Sequence, residues 1–305
     1  MVRKVRDIGE LALIKILGSK IRTDRSVITG IGDDAAAIRF TNGKYLLFKT
    51  DMVVEGVHFT RKTPPTLIGR KALARNISDI AAMGGVPRYA VISLGIPAST
   101  KINFIKEVYQ GIIKLAKEFN INIVGGDTSK SSKVFISIAL LGEVGKSALV
   151  LRSTARKGDL IFITGKLGNS FKSRKHLKFI PRIKEARFLV RNYKPTAMID
   201  ISDGLILDLN HILNASKRGA FIYEEFIPQV KNSSLNRALY NGEDYELLFT
   251  LPGVKAARLI KGLKKGKIKI ALSCIGEIVD KKYGLILVDK RYRLQSSKAR
   301  GFTHF

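Results

Sequence analysis

Residues 66–96 read TLIGRKALARNISDIAAMGGVPRYAVISLGI, and this stretch does most to fix the fold class. Residues 66–83 predict a helix, which Gly84-Gly85 and then Pro87 bring to an end, because glycine often ends helices and proline cannot continue them. The mainly apolar residues 89–96 that follow predict a buried strand. A helix followed directly by a buried strand indicates an α/β domain.

The segments on either side extend this alternation of helices and strands. Before it, strands are predicted over 35–40 and 45–49, joined by Asn42-Gly43, a pair typical of hairpin turns. After it, apolar residues at helical spacing predict an amphipathic helix over 102–119. A short strand over 122–124, ended by glycines, completes this first unit.

The rest of the chain has a similar content of elements. Strands are predicted over 160–164 and 198–201, and the second of them leads into a helix over 204–215. Because each half alternates helices with strands, we predict an α/β (α+β) protein of two domains, residues 1–146 and 147–305.

Composition indicates an ordinary globular protein of 305 residues, 45% of them hydrophobic. The sequence contains no run of eighteen apolar residues, which a helix would need to cross a membrane, and no signal-peptide pattern at its start. The one cysteine, Cys274, cannot form an internal disulfide. We therefore expect a cytoplasmic protein with no membrane partner.

The formal net charge of +29 suits a nucleic-acid-binding protein, whose affinity comes largely from phosphate contacts. However, the basic residues are scattered, and the sequence has no zinc-ligand spacing, basic zipper or aromatic RNA-recognition motif. We expect no specific nucleic-acid partner. A basic nucleic-acid-binding protein remains the alternative from a different functional class.

The aspartates carry the clearer functional signal, because eight of the 14 lie in short motifs beside Gly or Ser. Three of them are expected at or just past strand ends, where loops often carry chemistry: Asp51, Asp127 and Asp200. Magnesium takes hard oxygen ligands and is held by a few carboxylates together with substrate phosphates. The eight aspartates are Asp33, Asp34, Asp51, Asp79, Asp127, Asp200, Asp203 and Asp244.

Each aspartate alone has a simpler structural explanation. Asp203, just before the helix over 204–215, fits a helix N-cap, and any single Gly-Asp pair could be a turn. Taken together, however, so many carboxylates close in space would repel one another and need cations. Bound metal is the more economical explanation.

The common nucleotide-binding motifs are absent. There is no Gly-x-x-x-x-Gly-Lys-Ser/Thr loop, no Gly-x-Gly-x-x-Gly between a strand and a helix, and no protein-kinase signature. Residues 164–170 could cradle a phosphate through backbone amides. An enzyme that uses ATP and magnesium here must therefore have a less common architecture.

Seven parts of the sequence, in order along nearly the whole chain, resemble the thiamine-monophosphate kinase family, of the superfamily that includes aminoimidazole ribonucleotide synthetase. Each part alone is a modest match, but the ordered set is specific. The parts are residues 30–36 (GIGDDAA), 50–51 with 55–59 (TD and EGVHF), 71–84 (KALARNISDIAAMG), 125–128 (GGDT), 151–153 (LRS), 199–205 (IDISDGL) and 242–247 (GEDYEL).

The resemblance implies transfer of the γ-phosphoryl group of ATP to thiamine monophosphate, which yields thiamine diphosphate and ADP in a site with several Mg²⁺ ions. It also implies an aminoimidazole ribonucleotide synthetase-like fold of two domains, in which the N-terminal sheets of two subunits form a barrel across a homodimer. Because the acceptor is already a phosphate oxyanion, positioning and charge neutralisation can suffice without a strong general base.

The matched positions also imply roles for individual residues. The implied catalytic residues are Asp51, Asp127 and Asp203. The implied metal-binding positions are Asp34, Lys49, Thr50, Asp51, Asp79, Asp127, Asp200 and Asp203. The implied ATP contacts are Gly126, Arg152 and Ser202, and the implied contacts to thiamine monophosphate are His58, Glu243 and Phe302.

Lys49 departs from the family pattern, in which many relatives have a serine at this position. If the backbone carbonyl is the metal ligand there, the lysine changes nothing. If the serine hydroxyl is needed, one metal is lost or moved. The lysine could also pair with a phosphate.

Two other enzymes of the superfamily remain alternatives, those that make aminoimidazole ribonucleotide and selenophosphate. The selenophosphate enzyme uses a reactive cysteine or selenocysteine near its N-terminus, whereas the only thiol here, Cys274, lies far along the chain. Residues 55–59 and 242–247 favour the thiamine enzyme.

Overall fold

Two β-sheets with helices packed on them make up the computed structural model, which describes residues 4–297 and 301–302. The helices of the described residues are α1 (Val5–Gly18), α2 (Pro65–Ala82), α3 (Ile102–Glu118), α4 (Lys175–Lys178), α5 (Ile183–Tyr193), α6 (Leu205–Ser216), α7 (Leu235–Tyr240) and α8 (Gly253–Lys264). The strands of the first sheet are β1 (Val27–Thr29), β2 (Ala36–Arg39), β3 (Lys44–Val54), β4 (Val86–Ile96), β5 (Asn122–Lys130) and β6 (Phe135–Gly145). Those of the second are β7 (Leu160–Thr164), β8 (Ala197–Asp200), β9 (Arg218–Tyr223), β10 (Leu247–Leu251), β11 (Leu272–Asp280), β12 (Leu285–Val288) and β13 (Leu294–Ser296).

The first sheet has the strand order β1-β2-β3-β6-β4-β5, antiparallel except for the parallel pair β4 and β5. The second has the order β13-β12-β9-β11-β7-β10-β8, and only its pair β12 and β9 is parallel among the described strands. The antiparallel pairing of β2 with β3 confirms the predicted hairpin at Asn42-Gly43. The predicted helix over 66–83 is confirmed by α2.

Two strands extend further than the sequence predicted. β3 pairs with β6 along all eleven of its residues, and β5 pairs with β4 through the glycines as far as Lys130. The prediction that Asp51 and Asp127 lie at strand ends is therefore wrong, whereas Asp200 does end β8. The local glycine and aspartate signals were misleading because pairing with a neighbouring strand outweighs a weak local preference.

Helix α2 is the buried centre of the molecule. It packs on β3 and β6 of the first sheet, on α3 beside it, and on β8 and α5 of the second unit. Most of its residues from Ile68 to Ala82 are buried, including the charged residues Lys71 and Asp79. Polar side chains of α2 are thereby placed where the two sheets approach each other.

The opposite face of the first sheet carries apolar side chains that no described element covers. Phe48, Met52, Tyr89, Val91 and Val124 are each 41–61% exposed. Exposed apolar groups in such numbers on one sheet face are typical of a surface that another protein chain covers. Among the described helices, none is both long and apolar enough to cross a bilayer.

Gly69 permits the close packing of α2 on α3, because a Cβ there would lie 1.9 Å from the carbonyl oxygen of Val108. We expect Gly69→Ala to lower the free energy of unfolding by about 1–3 kcal/mol, as overpacked cores do, despite the better helix propensity of alanine. Urea unfolding measures the change. Gly253→Ala, at a helical glycine with no atom within 4 Å of such a Cβ, is the matched control. Equal stabilities of the two variants would contradict the prediction.

Candidate active site

Helix α2 presents three charged side chains at intervals of four residues, Lys71, Arg75 and Asp79, which places them along one helix face. Each has a partner of opposite charge outside the helix. Lys71 Nζ lies 2.5 Å from Glu243 Oε2, and Arg75 Nε lies 3.4 Å from Asp51 Oδ2. Asp79 Oδ2 lies 3.2 Å from the ammonium of Lys49. Ion pairs from one face of α2 therefore link this helix both to β3 and to the segment that precedes β10.

A buried carboxylate cluster forms beside this face. Carboxylate oxygens of Asp34, Asp79 and Asp200 all lie within 4.8 Å of one another. These residues come from the loop before β2, from α2 and from the end of β8, and each is at most 7% exposed. Ser78 Oγ donates a hydrogen bond of 2.5 Å to Asp200 Oδ2. Three separate parts of the chain thus bring carboxylates to one point.

Burial and mutual repulsion make these carboxyl groups hard to ionise. Burial first, and then the charge of Asp34, raise the pKa of Asp200 to about 7. Burial likewise raises the pKa of Asp79 well above its ordinary value, although Lys49 opposes the shift. Clustered carboxylates with raised pKa values fit a divalent cation, because hard oxygen ligands and unbalanced negative charge are what Mg²⁺ binds.

We expect the metal-free protein to lose stability as the pH rises from about 6.5 to about 8. The folded-state pKa of Asp200, about 7, exceeds the value of 3.8 for the unfolded chain, so the folded state binds more protons and its advantage disappears as the pH passes the folded pKa. His211, whose pKa burial and then Arg152 lower from 6.5 to about 4, acts in the opposite sense mainly below this window and offsets only part of the loss within it. Urea unfolding in EDTA at both pH values measures the slope.

The control for this pH dependence is Asp200→Asn, which removes the titrating group. Added Mg²⁺ should also weaken the dependence, because a bound cation favours the ionised carboxylate. A slope in Asp200→Asn equal to that of the wild type would contradict the assignment.

Arginine and lysine side chains partly balance the cluster. Arg152 makes a two-pronged contact with Asp34, from Nη2 to Oδ1 at 2.6 Å and from Nε to Oδ2 at 3.2 Å. Lys49 faces Asp79 at 3.2 Å and Asp51 Oδ1 at 4.0 Å. Cations that pair with carboxylates here are equally suited to phosphate oxygens.

The turn between β8 and α6 places Ser202 and Asp203 beside the cluster. The N-cap residue of α6 is Gly204, so the alternative interpretation of Asp203 as the cap is wrong. Asp208, in the first turn of α6, instead accepts from the backbone N–H groups of Asp203 at 3.0 Å and Gly204 at 3.1 Å. Asp203, Asp208 and His211 form a second group with ligand atoms within 4.8 Å of one another.

The carboxylates, Ser202, Asp203 and Arg152 line a cleft of about 820 Å³. A neighbouring cavity of about 280 Å³ is lined by His58, Glu243 and Phe302, with Phe171 and Tyr240 adding aromatic surface. Phe302 lines both spaces. The arrangement therefore places an acidic chamber next to an aromatic one, with Phe302 in the wall of both.

The buried ammonium of Lys71 supports the aromatic cavity. Besides its contacts with both oxygens of Glu243, Lys71 Nζ donates to the backbone carbonyl of His58 at 3.1 Å. Glu243 has a positive φ of 65°, which is uncommon outside glycine. His58 Nδ1 accepts from the N–H of Val54 at 3.1 Å. One lysine thus holds two cavity residues that lie far apart in the sequence.

Three of the proposed positions lie on the other side of the first sheet or at its edge. The Thr50 hydroxyl contacts Ser137 Oγ at 3.4 Å, on the face opposite to Lys49 and Asp51, although Thr50 also lines the edge of the cleft. Gly126 and Asp127 are exposed on the edge strand β5, which β4 and β6 separate from β3. A Cβ at Gly126 would lie 1.9 Å from the carbonyl oxygen of Ile92, so the strand pairing itself requires glycine. Within one chain, Asp127 does not join the cluster around Asp79.

Sequence reasoning assigned no role to Lys71 or Arg75, although both lie in a segment that it singled out. Their spacing from Asp79 was the available signal, because residues four apart in a predicted helix share a face. Charged residues on a helix that is otherwise apolar are rarely buried unless they are paired. This combination pointed to ion pairs within the site.

Comparisons with known proteins agree with this geometry. A family model for the N-terminal domain of AIR synthase related proteins matches residues 32–144, and one for the C-terminal domain matches residues 133–288. The chain is 38% identical to a thiamine-monophosphate kinase of Buchnera aphidicola subsp. Schizaphis graminum, over 93% of this chain and 94% of that protein. It is 31% identical to the thiamine-monophosphate kinase of Bacillus subtilis, over 97% and 99% of the two chains.

The fold matches that of a solved structure, AaThiL complexed with AMPPCP and TMP. The TM-score is 0.87 at 29% sequence identity, and the match covers all of both chains. A thiamine monophosphate kinase structure from Aquifex aeolicus has a TM-score of 0.79 at 28% identity, over 97% of this chain and all of that one. The predicted α/β architecture of the superfamily is confirmed.

Proposed function

The chain belongs to the thiamine-monophosphate kinase family of AIR synthase related proteins, and from this we propose that it transfers the γ-phosphoryl group of ATP to thiamine monophosphate. The observation that carries the proposal is that Phe302 lines both chambers, which places them side by side. The carboxylate chamber suits metal-bound phosphates, and the aromatic chamber suits a heteroaromatic ring. A phosphoryl donor and a thiamine acceptor would then meet where the chambers join.

Asp34, Asp79 and Asp200 would hold Mg²⁺, with Asp51 and Asp203 at the border of the same cleft. Bound Mg²⁺ would supply charge neutralisation at the transferred phosphoryl group. The side chains of the cleft need only align the acceptor oxygen in line with the bond that breaks. The bond from the γ-phosphorus to ADP breaks as the bond to the acceptor phosphate oxygen forms, and no strong base is required.

Contacts to ATP are proposed for Arg152, Ser202 and Gly126. The geometry of Arg152 supports its role, because a guanidinium that donates two hydrogen bonds to the Asp34 carboxylate can bind a phosphate in the same way. Gly126 keeps its backbone exposed on β5. Contacts to thiamine monophosphate are proposed for His58, Glu243 and Phe302, the last by stacking on the ring.

We also propose a homodimer in which a second copy covers the apolar face of the first sheet. Thr50 and Asp127 lie on this side of the sheet, so a partner chain would bring Asp127 next to other site residues that its own chain keeps distant. In such a dimer, the expected first domain, residues 1–146, would form the interface, and the expected second domain, residues 147–305, would close the cleft. The cytoplasm is the proposed compartment, since the ATP that the reaction consumes is found there.

A coupled assay for ADP release tests the function. The purified protein is offered thiamine monophosphate, thiamine or an aminoimidazole ribonucleotide precursor, each with ATP and Mg²⁺. We expect ADP release, with thiamine diphosphate as the second product, only with thiamine monophosphate. Turnover confined to another acceptor would overturn the proposed substrate.

A further inference from the structure

Lys49 lies among the carboxylates that would hold metal. Its position two residues before Asp51 on β3 places both side chains on the sheet face that α2 covers. Its Nζ lies 3.2 Å from Asp79 Oδ2 and 4.0 Å from Asp51 Oδ1, and its side chain is 22% exposed. An ammonium close to two carboxylates supplies positive charge where a divalent cation could otherwise bind, although its ion-pair distances are longer than the roughly 2.1 Å of a Mg²⁺–oxygen bond.

Cationic side chains of the chain itself pair with the carboxylates of the cluster. Four carboxylates meet here, from Asp34, Asp51, Asp79 and Asp200, and three cations face them. The cations have separate partners: Arg152 with Asp34, Arg75 with Asp51, and Lys49 with Asp79.

Lys49 differs from the two arginines in shape and place. Each guanidinium is a broad planar fork on the border of the cluster, whereas the ammonium is a compact point charge between two carboxylates. A divalent cation at that place would meet strong repulsion from the ammonium at close range. The ammonium and a metal ion therefore compete for the same pair of carboxylates.

We propose that the Lys49 ammonium is a resident cation that replaces one divalent metal ion between Asp51 and Asp79. The inference rests on the proposed metal-dependent function, but concerns only how many ions the chain itself holds. The remaining ions would bind toward Asp34 and Asp200, with which Lys49 makes no ion pair within 4.0 Å. Lys49 thereby supplies part of the positive charge of the site whatever the magnesium concentration.

The test counts Mn²⁺, a spectroscopically visible stand-in for Mg²⁺, without nucleotide or thiamine compound. Free Mn²⁺ is measured by electron paramagnetic resonance during titration of the wild type and of Lys49→Ser, Lys49→Arg and Lys44→Ser. We expect Lys49→Ser to bind one more Mn²⁺ per chain than the wild type. Lys49→Arg retains the positive charge and should match the wild type. Lys44→Ser removes a lysine from the same strand that pairs with Glu143 outside the cluster, so it should also match the wild type.

Thermal unfolding supplies the second measurement. In EDTA we expect Lys49→Ser to melt below the wild type, and added Mn²⁺ should restore the loss, because the metal then provides the missing charge. If Lys49→Ser is soluble only with Mn²⁺ present, the same replacement has occurred and the proposal stands. An Mn²⁺ count equal to that of the wild type, or a loss of stability that Mn²⁺ does not restore, overturns it. Neither measurement depends on which acceptor the enzyme phosphorylates.

Discussion

Asp79→Asn is expected to abolish phosphoryl transfer and at the same time to stabilise the metal-free protein. Asp79 is a buried residue of α2, which packs on β3 and β8, and its carboxylate is the one that approaches Asp34, Asp200 and Lys49 together. Replacing it with a neutral amide of the same shape removes a metal ligand from the centre of the site. Since metal neutralisation of phosphate is worth several kcal/mol, turnover should fall roughly a thousandfold or more.

The gain in stability follows from the same charges. Burial and the carboxylates around it raise the pKa of Asp79, so ionising this group in the folded state costs free energy that an asparagine avoids. Lys49 retains Asp51 as a neighbour at 4.0 Å. If Asp79→Asn lost activity because it unfolds, its free energy of unfolding would fall. Loss of a metal ligand predicts that the free energy of unfolding rises, so the unfolding measurement separates the two explanations.

Two measurements test this prediction: ADP release with thiamine monophosphate, and urea unfolding in EDTA at pH 8. Asp280→Asn is the control, because it makes the same chemical change at an exposed ion pair with Lys157, where little stability is expected to change. Turnover of Asp79→Asn within tenfold of the wild type would rule out Asp79 as a metal ligand. A fall in its stability in EDTA would rule out the repulsion argument.

Lys71→Met is expected to be the most destabilising single change in the site, by about 3–5 kcal/mol. The Lys71 side chain is 1% exposed and contacts both oxygens of Glu243, at 2.5 and 2.6 Å. Methionine fills a similar volume, but it leaves the Glu243 carboxylate without its counter-charge and the His58 carbonyl without its donor. An unpaired, largely buried carboxylate carries the full desolvation penalty.

The same variant should bind thiamine monophosphate less well. Because Lys71 holds both Glu243 and the His58 backbone, its loss loosens the aromatic cavity but leaves the carboxylate cluster intact. We expect KM for thiamine monophosphate to rise at least tenfold, with a much smaller change in KM for ATP. Steady-state kinetics with each substrate varied in turn separates the two effects.

The double variant Lys71→Met/Glu243→Gln is the control for stability. Removing both charges should recover much of the lost free energy of unfolding, because no isolated ion then remains buried. The KM for thiamine monophosphate should stay high in the double variant. No recovery of stability would show that lost packing, not an orphaned charge, caused the effect of Lys71→Met.

Local sequence was sufficient to predict elements that have a strong signal within their own residues. The helix that became α2 was predictable from residues 66–83, and the hairpin between β2 and β3 from Asn42-Gly43. Strand lengths were less predictable. β3 and β5 run past polar and glycine residues because β6 and β4 supply their hydrogen bonds, and such partners are distant in sequence.

The sequence by itself determined which residues can take part in the chemistry: aspartates in short motifs, a basic residue at position 49, and an α/β framework. The tertiary structure decided which of them meet. The alternation of a strand puts Lys49 and Asp51 on the covered face and Thr50 on the other, while α2 carries Lys71, Arg75 and Asp79 between the two sheets. Asp127, in an equally specific motif, lies on an edge strand away from this cluster. Motifs record local backbone and side-chain chemistry, whereas convergence of charges depends on strand order and helix packing, which arise from contacts between distant parts of the chain.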